Sequence, residues 1–487
     1  MSSQCSPSRS AGPRTFSRRR VLGHIASLGA SACAALTTSC VSVPSPGPAI
    51  ERLARGLLGQ AQQVTGAAAS PRTLTWFTPI PDPTTALARA TVGSAAWSTA
   101  MGWSRILGPW QASHPAIRLV HRVAAPADLT RQQIAAARSG DPGDIAYTDW
   151  GHILGEAGVL DPLEVGPLAR QIVDEAFTIQ SANDQVYALP VFLSCLGLYR
   201  NHARFQDAGR SIEEPLYDWS TFETTARELT DRARQRYGFD VFGDGTPLSG
   251  QMRYGPFLWS AGGDFFNEAG DEAIWNQEPG LSAIIFLARM AQNYASPDAT
   301  SADDQTLAER WLSGQTAMIL FGPELTVDAD QRGLEYSVQS VPAYIKGQAS
   351  SLVMSAGAVG IFTASRHKDW ALDFIHYLAS KEAQVAGLAY LRLLPANVEA
   401  GDAAPVFQHN PPMGAFLRIL REDDIHPFPL ARQHNAEVQK IFQVYLGIAL
   451  RGLATPEAAW NRSAREATAL LKAAVTPTPQ STPPASR

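Results

Sequence analysis

Thr73-Leu74-Thr75-Trp76-Phe77, Ile117-Arg118-Leu119-Val120-His121-Arg122-Val123 and Asp144-Ile145-Ala146-Tyr147 are three short runs rich in β-branched, aromatic and aliphatic residues. That composition fits a pleated, buried surface and predicts three strands. Between them lie Trp97 to Ser113 and Leu129 to Arg138, whose apolar residues recur at helical spacing. Parallel neighbours need a helical crossover, so the order strand, helix, strand, helix, strand points to a wound α/β sheet. Downstream, Ser220-Thr221-Phe222-Glu223 has the spacing of a capping box and predicts a helix to about Arg236. Ala317 to Phe321 and Ala358 to Phe362 read as short buried strands. Trp370, Phe374, Ile375 and Leu378 mark one face of a helix, and Thr455-Pro456 is an N-cap with proline at the first helical position. The fold class expected for the whole body is α/β.

The chain has 487 residues, 45% of them hydrophobic and 17% charged, which suits a folded protein with a large core. Its net charge is -5, but Arg9, Arg14, Arg18, Arg19 and Arg20 all lie in the first 39 residues, where no acid occurs. The remainder carries 35 basic and 45 acidic side chains, a net charge of -10. Such a body has no electrostatic reason to bind nucleic acid, which relies on clustered Lys and Arg. The four cysteines, Cys5, Cys33, Cys40 and Cys195, lack zinc or redox spacing. No His-Glu-x-x-His or Gly-Lys pair occurs, so a zinc-protease site and a P-loop are both absent. Gly243-Asp244-Gly245 reads as a surface turn rather than a dinucleotide loop, and Ser365-Arg366-His367-Lys368 as a helix N-cap rather than a catalytic Ser-x-x-Lys. No cofactor or metal is expected.

At the N-terminus, Ser17-Arg18-Arg19-Arg20-Val21-Leu22 forms a twin-arginine pattern ahead of a charge-free stretch that ends at Ser39-Cys40. This is the layout of an export signal over residues 1–40. Its end resembles a bacterial lipobox, which makes Cys40 the expected lipidated residue and leaves Cys33 a weaker competitor. Pro44, Pro46, Gly47 and Pro48 follow, so residues 41–71 read as a tether. Residues 476–487, rich in Pro, Thr and Ser, read as a disordered tail.

Nine segments, in order, resemble the extracellular solute-binding proteins of family 1, the sugar-binding components of ABC importers. They are His114 to Val120; Gly140 to Ile145 with Asp149; Gly158-Val159-Leu160-Asp161-Pro162-Leu163; Tyr187-Ala188-Leu189-Pro190; Leu198-Tyr199-Arg200-Asn201; Asp218-Trp219-Ser220-Thr221-Phe222; Trp259-Ser260-Ala261-Gly262-Gly263; Gly314 to Met318 with Phe321-Gly322-Pro323; and Leu394-Pro395-Ala396. The resemblance implies a two-lobed periplasmic-binding-protein fold that closes on its ligand about hinges. Lobe one would be 72–192 plus 357–396, and lobe two 195–354 plus 400–475. The hinges would fall near Phe192 to Cys195, Ser355 to Gly357 and Ala396 to Gly401.

The same resemblance places the ligand contacts. Thr78, Asp82, Asp149 and Trp150 follow strands at their carboxyl ends; Ser194 stands where maltose-binding members have an acid; Trp259, Gly263 and Asp264 share one segment. Glu324 replaces a stacking Trp, Gly357 lies at a hinge, and Arg432 and His434 occupy a stretch that supplies a further aromatic. Carboxylates, amides and Arg suit sugar hydroxyls, and Trp faces suit the apolar side of the ring. Trp150 and Trp259 are expected in loops with ring faces available. Trp219 and Trp370 are expected in the core, and Asp149 has capping of a helix near Gly151 as its other reading. The implied function is a lipid-anchored monomeric receptor that delivers a carbohydrate to an ABC permease, without catalysis. Its rivals are the same fold binding a polyamine, glycerophosphodiester or other polar solute, and a secreted glycosidase using Asp264 and Glu324.

Overall fold

The computed structural model describes residues 72–241, 247–431 and 434–473. The export signal with Cys33 and Cys40, the tether, Gly243-Asp244-Gly245, Arg432 and the 476–487 tail lie outside the described residues.

Three sheets organise the body. The first has the order β2-β1-β3-β11-β4, from β1 (Arg72–Thr78), β2 (Ile117–Val123), β3 (Ile145–Thr148), β4 (Leu189–Pro190) and β11 (Ala358–Ile361). β1 runs parallel to both β2 and β3, with Arg72 opposite Ile117 and Trp76 opposite Ile145, as the opening pattern predicts. Helix α1 (Ala95–Ser113) is capped by Ser94 Oγ, which accepts from Trp97 N at 3.2 Å, and buries Trp103, Ile106, Leu107 and Trp110. Helix α2 (Leu129–Arg138) supplies the second crossover. β11 enters antiparallel to β3, with Ala358 opposite Thr148.

The second sheet has the order β9-β6-β8-β7, from β6 (Gly197–Asn201), β7 (Tyr237–Phe239), β8 (Thr316–Phe321) and β9 (Tyr336–Gln339). The third has the order β12-β5-β10-β13, from β5 (Phe192–Cys195), β10 (Ser350–Ser355), β12 (Leu394–Pro395) and β13 (Asp424–Pro427). This third sheet divides two apolar clusters. Leu193, Cys195, Val353 and Ile425 belong to one, which includes Trp76 and Phe374; Leu352, with Met354 packed against it, belongs to the other, which includes Trp259 and Phe428.

Two sequence-based boundaries shift. The helix expected after Ser220 is α4 (Trp219–Glu228), and its N-cap is Asp218, whose Oδ1 accepts from Thr221 N at 2.8 Å. Glu223 instead pairs with Arg289 at 2.7 and 2.8 Å, so no capping box forms. The helix stops eight residues before Arg236 because Thr230 Oγ1 turns back to Ala226 O, and β7 begins at Tyr237. Ser365 is not an N-cap either: helix α6 (Lys368–Leu378) is preceded by His367, and Ser365 Oγ donates to Asp144 Oδ1 at 2.7 Å. Trp219 is buried and stacks on Phe286 at 4.5 Å, whereas Trp370 is only half-buried, with Arg72 5.1 Å over its ring.

Candidate functional site

Ser194, Met354 and His426 form a partly exposed row on one face of the third sheet. The register produces it: Met354 pairs with Ser194, and Leu352, two residues earlier and on the same face, pairs with His426. Alternate residues of the same strands, Val353 and Cys195, are sealed on the opposite face. Between these strands and the first sheet the chain turns at Gly357 with φ +131, where an added Cβ would lie 2.1 Å from the Tyr147 hydroxyl oxygen. That hydroxyl donates to Ala356 O at 3.1 Å, so Gly357 is held by close approach as well as by its dihedral.

Helix α5 (Pro247–Ser260) carries Trp259 in its last turn, not in a loop. Gly262 (φ +83) and Gly263 end the helix: Gly262 N donates to Trp259 O at 2.8 Å and Gly263 N to Leu258 O at 3.1 Å. This is the left-handed stop that glycine favours at Gly262, while at Gly263 an added Cβ would lie 2.5 Å from Leu258 Cδ1. The Trp259 indole is buried, lies parallel to the His426 imidazole at 4.4 Å, and packs close to Gly255 one helical turn earlier. The expected open ring face is therefore occupied. Asp264 is exposed; its Oδ1 accepts from Phe265 N at 2.7 Å and from Trp259 Nε1 at 3.4 Å.

From the first sheet, β3 delivers Asp149 and Trp150. Thr148 Oγ1 accepts from Trp150 N at 2.9 Å, and the buried Gln180 side chain accepts from Gly151 N at 2.9 Å while donating to Asp149 O at 3.1 Å. Asp149 does not cap helix α3 (Gly151–Glu156), whose N-terminus has no side-chain cap. No donor reaches its half-buried carboxylate among the described residues, and burial pushes that carboxyl up to about 6. The Trp150 ring meets Phe428 edge to face at 5.8 Å. Since Phe428 follows His426 by two residues, Trp150 and the Trp259–His426 stack share one aromatic run.

The other expected positions fall apart from this run or serve locally. Thr78 is buried, and its Oγ1 accepts from Ile80 N at 3.1 Å; Asp82 is exposed and caps the helix Pro83–Arg89 through Thr85 N at 2.9 Å. Glu324 follows β8, with its carboxylate folded over Gly322. Protein surrounds the Glu324 carboxyl without covering it, so lost hydration raises its pKa while Arg253 pulls it back. Arg253 itself binds Asp304 at 2.7 Å and lies 5.7 Å over Phe321. His434 is exposed, left-handed at φ 51, and 4.0 Å from Glu437.

Sequence reasoning missed Arg253, Asp304, His426 and Phe428. His426-Pro427-Phe428-Pro429 was the available signal: a Pro-bounded aromatic stretch six to eight residues before Arg432 and His434. Among the described residues no group of three or more His, Cys, Asp or Glu could hold a metal, and no helix is long and apolar enough to cross a membrane.

Several solved structures share this fold. An ABC transporter solute-binding protein from Thermotoga lettingae, bound with α-D-tagatose, is 21% identical, with 82% of this chain covering 100% of that one at a TM-score of 0.67. The cyclic α-maltosyl-1,6-maltose binding protein from Arthrobacter globiformis is 19% identical, with 83% and 100% covered at 0.69. The GacH receptor of Streptomyces glaucescens, solved without ligand and with acarbose, is 19% identical, with 82% and 99% covered at 0.65. At these identities the likeness establishes the two-lobed fold alone. The family model for bacterial extracellular solute-binding proteins matches residues 109–415, well over half of the chain, with the whole second sheet and every strand of the first except β1, and so the protein belongs to that family of exported binding proteins.

Proposed function

We propose that this protein is a lipid-anchored receptor that captures a carbohydrate between two lobes and delivers it to an ABC permease. The observation that carries the reading is the convergence of Trp150, Asp149, the His426–Trp259 stack and Ser194 beside the partly exposed face of the third sheet. An aromatic edge, an unpartnered carboxylate, an imidazole and a hydroxyl are the groups that a polyhydroxylated ring needs. The sugars bound by the three neighbours above support the same ligand class.

The lobes would be 72–192 plus 357–396, and 195–354 plus 400–475, hinged where β5, β10 and β12 link the outer sheets. Closure would swing Trp150 and Asp149 against the His426 row. A small polar cation is the second reading, favoured by the unpartnered Asp149 carboxylate and by Glu324. The glycosidase reading has less support, because Asp264 already accepts from Phe265 N and the Trp259 indole.

Calorimetric titration with D-tagatose, maltose, maltotriose and acarbose tests the proposal. Saturable binding of one of them is expected, weakened about 5- to 150-fold in Trp150→Ala, the equivalent of about 1–3 kcal/mol of lost ring contact. Spermidine binding without sugar binding would replace carbohydrate by the cationic reading. For the anchor, Cys40→Ala should move the protein from the membrane fraction to the soluble one; retention of the variant on membranes would sink the anchor.

A further inference from the structure

We infer that His426 is the specificity-determining residue of the cleft wall, offering its Nδ1 as an acceptor to a ligand hydroxyl. The inference rests on the receptor reading above. Trp259 is packed rather than open: the imidazole stacks on it with the rings 1° from parallel, Phe265 meets it edge-on at 5.6 Å, and an added Cβ on Gly255 would lie 2.5 Å from its Cζ3. Trp259 is 7% exposed, while the His426 side chain retains 27%. The outward surface of the stack is the imidazole.

Asp424 fixes how that imidazole is presented. Its Oδ2 lies 3.0 Å from His426 Nε2. An ionised carboxylate only accepts, so the proton of the neutral ring sits on Nε2 and the lone pair is left on Nδ1. No protein donor meets Nδ1 among the described residues. The register sets His426 beside Leu352 and in the row of Met354 and Ser194, on the face that stays partly open. Ring stacking tolerates most hydroxyl configurations, whereas a fixed acceptor rejects a ligand that lacks a donor opposite it. The class of ligand is thus a polyol or sugar with one free hydroxyl at this wall; its deoxy or O-methyl analogue at that carbon is excluded. Asp424 is a positioning residue.

Two measurements test this. The imidazole ¹⁵N spectrum of the ligand-free protein at pH 8 should give a protonated Nε2 and a lone-pair-bearing Nδ1 for His426, and Asp424→Ala should shift it toward a tautomer mixture. In calorimetry with the sugars named above, His426→Phe, which keeps a stacked ring, should bind about tenfold more weakly or worse at unchanged melting temperature. A proton on Nδ1 in the wild type, or equal affinity of His426→Phe and wild type, would overturn the inference. A wild type that binds none of these sugars overturns the carbohydrate reading and takes the hydroxyl partner with it, an outcome distinguishable because in the other failure the wild type binds.

Discussion

Gly357→Ala should destabilise the protein by about 2–5 kcal/mol, from the cost of a forbidden dihedral together with overpacking. At φ +131 a Cβ is strained whatever the space around it, and here it would also sit 2.1 Å from the Tyr147 hydroxyl oxygen. The surroundings cannot give way cheaply: Gly357 O accepts from Val191 N at 2.9 Å and Phe192 N at 3.3 Å, which ties the turn to β5. Tyr147→Phe removes the nearest clashing atom but leaves the ring carbon Cζ 2.6 Å from the added Cβ and the dihedral unchanged. The double variant should therefore recover part of the loss, and a double-mutant cycle on chemical denaturation would measure the share owed to the hydroxyl. A Gly357→Ala protein that unfolds at the wild-type denaturant midpoint would contradict the turn geometry.

Asp149→Asn should make the folded protein more stable at pH 7 while weakening ligand capture. The folded carboxyl is raised from 3.8 to about 6 by burial, so the native state holds this proton more tightly than the unfolded chain. The sign follows: this group's contribution is most favourable below about pH 4, is lost as pH rises through about 4 to 6, and stays lost above that. Asparagine is uncharged throughout, so the variant lacks this slope. Two pKa units correspond to about 3 kcal/mol, and solvent reaching the half-buried side chain reduces the expected gain at pH 7 to about 1–2 kcal/mol. Binding should fall about tenfold or more, because hydrogen bonds to a charged acceptor are worth about 1.5–3 kcal/mol. Melting curves at pH 4 and pH 7, with calorimetric titration of the same samples, check both halves. Equal stability of variant and wild type at pH 7 would mean that the carboxylate is solvated rather than held at a cost.

The two tryptophans proposed for the site show how far local sequence reaches. Trp150 follows a strand whose carboxyl end is recognisable from Asp144 to Tyr147, so its place at the carboxyl end of an α/β sheet was legible. Trp259 sits in a segment equally easy to recognise, yet its glycines are the stop signal of α5, and the ring is buried against His426 and close to Gly255. A Gly-rich stretch after an apolar run is compatible with a loop or a helix end. Only hydrogen bonds such as Gly263 N to Leu258 O distinguish them. The N-cap of α4 missed by two residues for a similar reason, since Asp218 and Ser220 are both competent caps and register selects between them.

By itself the sequence determined the alternation of strands and helices, the wound first sheet, the acidic body and the family-like order of segments. Each of these rests on local periodicity or on composition, which the chain carries whatever its neighbours do. Tertiary structure decided which face of the third sheet stays open, that His426 rather than Trp259 forms its outer surface, and that among the described residues no donor meets the Asp149 carboxylate. Those features depend on pairing across long sequence separations: Met354 with Ser194, Leu352 with His426, and Trp150 with Phe428. A one-residue slip in any of these strands would turn the open row into the sealed one, and no local pattern encodes a register between residues 70 to 280 positions apart.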